Sequence, residues 1–380
     1  MLKKLFTILA VSLVVVIFST AFFYFSDIQN GVNFVTGLVF DKNIELKKAD
    51  DSINVLLLGI GGGTHEGPEL TDTIIFANIK PSKNEVNLVS FPRDLWIPEL
   101  AYKINSVYAI NEEKRQGIPE SKKIIGKVLG QQIDYAVVVD FSGFVKLIDA
   151  IGGIEVNVQR SFADLQYPIA GAENDLCGAN PDELPRLSTA SAQFEAFPCR
   201  YKHIRFESGL QYMDGETALE FVRSRHATGS EGTDFARSQR QHLIISAVKD
   251  KVFSLGTILN PVKVFSIYNL VKDNVNTDIQ TNEFDDFIKL AQKMKGSKTK
   301  NYILDTGDDK ALRFGLLVNP KDFWDYKGQW VLIPRSGNGD FSEIQKYVNC
   351  ITQGKICTVA LDTIEIFDEN TIISTPARDK

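Results

Sequence analysis

The sequence predicts an α/β layered domain behind a single N-terminal membrane anchor, and three observations carry that prediction. Val55–Leu58 is an unbroken apolar run followed by Gly59, the pattern of a strand buried on both faces. Tyr135–Val139, Phe141–Ala150 and Ile154–Val158 read as strand, helix and strand, with Gly152-Gly153 breaking the helix before the last piece. Leu5–Phe25 carries no charge, and at about 1.5 Å per helical residue it covers the roughly 30 Å hydrocarbon core of a bilayer.

Taken in order, residues 1–4 form a cytoplasmic start, because Lys3 and Lys4 precede the apolar run. The run at 5–25 is expected to stay as an anchor. A cleaved signal peptide needs a small-residue site, and Ser19-Thr20-Ala21 is followed by bulky Phe22, Phe23, Tyr24 and Phe25. Residues 26–50 read as a linker and 51–352 as the folded domain, with 353–380 as a tail or the start of a truncated second domain. The net charge of −6 argues against nucleic acid as a partner. Five glycines between Gly59 and Gly67 make a loop, yet no Gly-Lys-Ser/Thr follows, so this is no Walker A motif. With four histidines, no His-Glu-x-x-His and no nucleophile elbow, zinc enzymes and serine hydrolases are poor fits.

Thr73–Ile79 and Glu85–Ser90 flank the turn Pro81-Ser82-Lys83-Asn84 and form a hairpin. Asp72 precedes the first of these strands and Arg93 follows the second, so antiparallel pairing brings them together. Ile118–Leu129 is helical. Residues 160–202 read as an irregular insertion, with Pro168, Pro181, Pro185 and Pro198. An extracytoplasmic location would permit a Cys177–Cys199 disulfide, and Cys350 and Cys357 are a second possible pair. Further helices are expected at Pro261–Lys272, Asn282–Lys295 and Phe341–Ile351, and short strands at Tyr302–Leu304, Trp330–Ile333 and Thr363–Ile366.

The chemistry concentrates between Glu220 and Gln241. Gly215–Val222 is a helix with Asp214 as its N-cap. Arg223 and Arg225 share one face only if the helix ends near Arg223 and the chain becomes extended. After the Gly229–Gly232 loop a long helix runs over Asp234–Phe253, capped by Thr233 or Asp234. Asp234, Arg237 and Gln241 then fall on one face of it. Arginines converging on a helix start suit a phosphate or pyrophosphate; a solvated charged face is the plainer reading.

The ordered set of motifs resembles the LytR-CpsA-Psr family. It comprises Val55-Leu-Leu-Leu-Gly59, Thr71-Asp-Thr-Ile74, Ser90-Phe-Pro-Arg-Asp94 and Lys103-Ile-Asn-Ser-Val-Tyr108. It continues with Asp134–Gly143, Asp149-Ala-Ile-Gly-Gly153, Met213–Leu219, Arg223-Ser-Arg225, Asp234-Phe-Ala-Arg237 and Arg240-Gln241. The resemblance implies a three-layer α/β/α sandwich with a central mixed sheet and an apolar channel. It implies a bacterial, single-pass membrane phosphotransferase with its catalytic domain outside the cell. Such enzymes move a glycopolymer from a polyprenyl-pyrophosphate carrier to peptidoglycan or another envelope acceptor, with Mg²⁺ or Mn²⁺. Catalytic roles are implied for Asp72, Arg93, Asp234 and Arg237, and substrate contacts for Arg93, Lys103, Arg223, Arg225, Arg237, Arg240 and Gln241. Asp72 and Asp94 are the expected metal ligands. Two departures stand out: Gly61-Gly62-Gly63 replaces an expected Asp after the first strand, and Leu70 stands where a basic residue is usual. Glu66 and Glu69 are the nearest acids. The missing Asp leaves two other readings open, a lipid-pyrophosphate binding module without turnover and a polyprenyl pyrophosphatase. The apolar residues beside the charged motifs are the expected lipid pocket: Val137, Val139, Phe141, Phe144, Ile148, Phe221, Leu243 and Ile244, with Val145, Val222 and Val248 alongside.

Overall fold

The computed structural model describes residues 44–48, 51–63, 67–178, 194–252, 261–308 and 312–367. Strands β1 (Ile53–Ile60), β2 (Thr71–Lys80) and β3 (Glu85–Phe91) open the fold, and β4 (Trp96–Ile97) pairs with β5 (Tyr102–Lys103) in a short ribbon. Helices α1 (Ser106–Glu112) and α2 (Gly117–Leu129) follow, then β6 (Tyr135–Asp140), α3 (Phe141–Ala150) and β7 (Ile154–Val158). Next come β8 (Phe162–Pro168), β9 (Tyr201–Phe206), β10 (Gly209–Met213), α4 (Gly215–Arg223) and α5 (Asp234–Val252). The chain continues through α6 (Pro261–Asn274), β11 (Val275–Thr277), α7 (Phe284–Lys293), β12 (Lys298–Ile303) and α8 (Ser342–Thr352).

Six strands form the central sheet in the order β11-β6-β1-β2-β3-β12. It is mixed: β1 runs parallel to β6 and antiparallel to β2, and β12 runs parallel to β3. Side chains alternate across it, as the pleat requires. Leu56 and Leu58 point to a core shared with Ile74, Phe76 and Val89, covered by Ile125 and Val128 of α2 and Ile344 and Val348 of α8. Val55, Ile75 and Leu88 point the other way, to Leu290 of α7 and Ile245 of α5. Helices therefore cover both faces, which is why the β1 sequence is apolar without alternation.

The structure departs from the sequence reading in several places. The 160–202 segment is not irregular throughout, because β8 and β9 pair within and beside it. The pairing was hidden by Pro168 and by a register shift between Asp164 and Tyr167 that breaks the period-two pattern. Residues 298–303 form a parallel edge strand longer than the expected Tyr302–Leu304. The expected Trp330–Ile333 strand shrinks to Ile333–Pro334. Ile364–Phe367 pairs with Ile356–Val359, and Ile364 joins the core. Both cysteine pairs are bonded, with Cα–Cα separations of 5.6 Å for Cys177–Cys199 and 6.1 Å for Cys350–Cys357. The apolar run at 5–25 lies outside the described residues, among which no helix is long and apolar enough to cross a membrane.

Candidate active site

One edge of the sheet collects the carboxyl ends of β1, β3 and β6 and the start of the antiparallel β2. Asp72 and Arg93 meet there: Arg93 Nη1 lies 2.5 Å from Asp72 Oδ1. Asp94 continues the chain of charges, with Oδ2 3.5 Å from Arg93 Nε and Oδ1 2.7 Å from Lys103 Nζ. Burial works to lower the Arg93 pKa, but the bond to Asp72 and the charges of Asp94 and Asp234 outweigh it and hold the group above its usual range.

The second wall comes from α4 and α5. Asp214 caps α4 by accepting from the Thr217 amide at 2.9 Å, and the helix stops at Arg223, with Ser224 extended at ψ 127°. A residue from the insertion holds that turn. Asp164, fully buried, accepts from Ser224 Oγ at 2.8 Å and from the amides of Arg225 and His226 at 3.1 Å each. Arg223 lies over the Phe141 ring at 4.1 Å and donates to the Tyr167 hydroxyl at 3.4 Å. Arg225 is exposed and also lines the cavity described below. Thr233 caps α5 through the Ala236 amide at 3.1 Å. Within α5, Arg237 pairs with Asp234 at 3.1 Å and Gln241 donates to Thr73 Oγ1 at 2.9 Å. Burial lowers the Arg237 pKa to about 10; Asp234 opposes this, while Arg225 and Arg93 push it further down. Mutual repulsion among Arg93, Arg225 and Arg237 is what a bound anion would relieve. His242, next on the helix, meets Ser90 Oγ through Nε2 at 2.7 Å, and burial depresses its pKa to about 4.

Between these walls lies a cavity of about 590 Å³, lined chiefly by apolar side chains and ending at Asp72, Arg223, Arg225, Arg237 and Gln241. Val137, Val139, Phe141, Phe144, Ile148 and Ile244 line it as expected, together with Val222 and Val248. Phe221 and Leu243 do not. Phe221 sits in an aromatic cluster with Phe206 at 5.0 Å and Phe162 at 5.9 Å, and Leu243 packs against the same cluster. One helical step of about 100° separates each from its cavity-lining neighbour, so the two positions face different layers. Arg240 is also corrected. It is buried, with Nε 2.9 Å from the Phe221 carbonyl, Nη2 2.6 Å from that of Ser224 and Nη1 3.2 Å from Glu231. It locks the α4–α5 loop and has no face toward the cavity. Arg93, Lys103 and Asp94 are not among the residues that line the cavity; Arg93 adjoins it through Asp72, which does line it, and Asp94 brackets the two cations Arg93 and Lys103.

Sequence reasoning missed Asp164, Asp140 and His226, all of which line the cavity. Asp140 was legible as the N-cap of α3, where Oδ1 accepts from the Gly143 amide at 2.6 Å. It also abuts the glycine loop: a Cβ on Gly62 would lie 2.7 Å from the Asp140 Cβ, so at φ +66° only glycine fits. A carboxylate thus stands beside the loop that lacks one. Glu69 is exposed and does not line the cavity, and Glu66 lies outside the described residues. Among the described residues three potential metal donors converge only at Asp175, Cys177 and Cys199, and the two cysteines are bonded to each other.

A model of the LytR_cpsA_psr family matches residues 21–306, about three quarters of the chain. The chain belongs to the LytR-CpsA-Psr family. It is 27% identical over 247 residues to the polyisoprenyl-teichoic acid–peptidoglycan teichoic acid transferase TagU of Enterococcus faecalis, covering 63% of this chain and 65% of the relative. It is 27% identical over 248 residues to TagV of Bacillus subtilis, a transferase of the same description, covering 63% of this chain and 52% of the relative. The matched region therefore spans less than two thirds of either relative's own length. The crystal structure of Bacillus subtilis TagV superposes with a TM-score of 0.53 at 21% identity, covering 80% of this chain and 97% of that one. A structure described as TagT bound to LIIa-WTA gives 0.51 at 19% identity, covering 83% and 96%. Both likenesses show the mixed α/β fold.

Proposed function

We propose that this chain is a membrane-anchored phosphotransferase that moves a glycopolymer from a polyprenyl-pyrophosphate carrier to a cell-wall acceptor such as peptidoglycan. The observation that carries this reading is the apolar cavity that ends at clustered arginines, an arrangement suited to a lipid tail attached to a pyrophosphate. The curated relatives are named for this type of transfer. Residues 5–25 would hold the domain at the outer face of the membrane.

In the reaction an acceptor hydroxyl oxygen bonds to the phosphorus that carries the glycopolymer. The bridging P–O bond breaks, prenyl monophosphate leaves, and the acceptor proton passes to water at the open mouth. Such transfers need positioning and charge neutralisation more than covalent participation. Arg223 and Arg225 clamp the phosphates in forked contacts. Arg237, already destabilised as a cation by burial and by its neighbours, gains most from the arriving charge. Asp72 holds Arg93 toward the reacting phosphoryl group, Asp234 holds Arg237, and Gln241 fixes α5 to β2.

The donor set suits a divalent cation only in part. Asp72 Oδ2 takes no partner among the described residues and Asp140 stands across the end of β1, whereas Mg²⁺ requires six oxygens. Mg²⁺ or Mn²⁺ would therefore be held by Asp72 jointly with pyrophosphate oxygens and water, and would supply further charge neutralisation. Transfer of labelled glycan from a prenyl-pyrophosphate donor to isolated glycan strands tests the reading. Donor consumed with only water-derived products would assign a pyrophosphatase, and tight binding without turnover a capture module.

A further inference from the structure

We propose that a second cleft, at the carboxyl end of β12, binds a sugar unit of the acceptor glycan; this rests on the transferase reading above. The cleft has a volume of about 300 Å³ and is lined by Asp305, Leu312, Arg313, Phe314, Tyr347 and Thr358, among others. That volume is at the small end of ligand sites, suited to one ring and not to a prenyl chain.

Its position argues for the acceptor. Across the sheet the order is β6, β1, β2, β3, β12. The lipid cavity takes its sheet residues from β6, β1 and β2, the Asp72–Arg93 pair joins β2 to the segment that follows β3, and the cleft lies at β12, beyond β3. Displacement at phosphorus places the attacking and leaving oxygens roughly in line. With the prenyl phosphate on one side of Arg93, the attacking hydroxyl arrives from the other, where the cleft is. The cleft is also coupled to the site directly. The Leu304 amide donates to the Ser90 carbonyl at 2.9 Å, three residues before Arg93, and the Arg313 guanidinium lies 4.4 Å over the ring of Phe235, in the first turn of α5.

Its chemistry argues for a saccharide. A pyranose presents an apolar C–H face and a polar edge, so its site needs an aromatic or aliphatic surface beside hydrogen-bonding groups. Phe314, 42% exposed, and Leu312, 83% exposed, both line the cleft and offer it an accessible apolar surface. Inside, Arg313 and Asp305 are locked in a two-point pair at 2.8 and 2.6 Å, which presents the remaining guanidinium edge in a fixed plane. The Tyr347 hydroxyl takes no hydrogen-bond partner among the described residues; burial pushes its pKa up to about 12, so it stays a donor. The Cys350–Cys357 bond ties α8, which carries Tyr347, to the strand that carries Thr358. The walls are thereby set before a ligand arrives.

The test uses the full chain in lipid nanodiscs, a synthetic prenyl-pyrophosphate disaccharide as donor and uncrosslinked peptidoglycan glycan strands as acceptor. Phe314→Ala and Leu312→Ala should raise the acceptor KM about tenfold or more while the donor KM and the melting temperature stay near wild type. In parallel, an N-acetylglucosamine oligosaccharide is titrated without donor, where Tyr347→Phe and Phe314→Ala should each weaken binding. Unchanged acceptor KM, or an equal rise in donor KM, overturns the proposal. If the wild-type chain transfers nothing, the transferase reading fails and the titration decides the cleft: no oligosaccharide binding, or binding equally tight in Phe314→Ala, overturns it.

Discussion

Replacing Val139 with Phe probes the cavity at a point where the sheet itself supplies a control. Val139 lines the cavity, while its neighbour Val138 is 2% exposed and packs in the opposite core with Leu58 and Phe76. Phenylalanine adds four carbons to the valine side chain. If those carbons displace an equal length of prenyl tail, at about 0.8 kcal/mol per buried methylene, a long-chain donor loses roughly 3 kcal/mol, about two-hundredfold in affinity. A donor too short to reach β6 loses nothing. Val138→Phe should instead cost about 1–3 kcal/mol of stability by overpacking, with no dependence on chain length. Isothermal titration with prenyl pyrophosphates of two and seven or more isoprene units, beside urea denaturation, separates these outcomes. Equal losses for both chain lengths in Val139→Phe, or no loss for either, would refute the assignment of this cavity to the lipid.

Arg225→Ala should leave stability near wild type, since the side chain is exposed, yet weaken donor binding by about 1.5–3 kcal/mol, and Arg223→Ala should weaken it similarly; full affinity in both would remove the clamp. Asp164→Asn should destabilise the protein by about 2 kcal/mol and weaken donor binding as well, because one buried carboxylate orders the backbone of residues 224–226; wild-type behaviour in both denaturation and titration would contradict that role. Calorimetry should detect Mg²⁺ binding only when a prenyl pyrophosphate is present, and Asp72→Asn should abolish it; tight Mg²⁺ binding to the free protein would sink the shared-ligand account. His242 has a folded pKa of about 4 against an ordinary 6.5, so the native state binds fewer protons than the unfolded chain in between. Its contribution to stability is therefore complete above pH 6.5 and is lost as pH falls toward 4, about 3 kcal/mol in all. Urea midpoints from pH 7 to 4.5 should fall less steeply in His242→Gln than in wild type; parallel slopes would contradict this.

Much of the architecture was legible because strong local signals agreed with the tertiary environment. The unbroken apolar run of β1 announced burial on both faces, and Gly152-Gly153 marked the break between Phe141–Ala150 and Ile154–Val158. The Asp72–Arg93 encounter followed from hairpin geometry alone. The break after Arg223 could be required by the spacing of two arginines, but its cause could not be seen. Asp164 acts across 60 residues from within a segment that reads as irregular, and long-range hydrogen bonds leave no periodic trace. Arg240 shows the converse: in sequence it is one more cation of the cluster, and only the fold shows it turned inward on Glu231 and two carbonyls. Cavity and core were likewise indistinguishable for Phe221 and Val222, since the difference is which layer one helical step faces.

The most direct measurement follows both products of one turnover. The full chain in nanodiscs is given a prenyl-pyrophosphate donor with a labelled glycan and isolated peptidoglycan strands, with Mg²⁺ present. Transfer across the Asp72–Arg93 site predicts prenyl monophosphate released in equal amount to label fixed on the strands, with both lost in Arg93→Ala. Prenyl monophosphate released while all label stays in solution, or no release despite saturating donor binding, would contradict it.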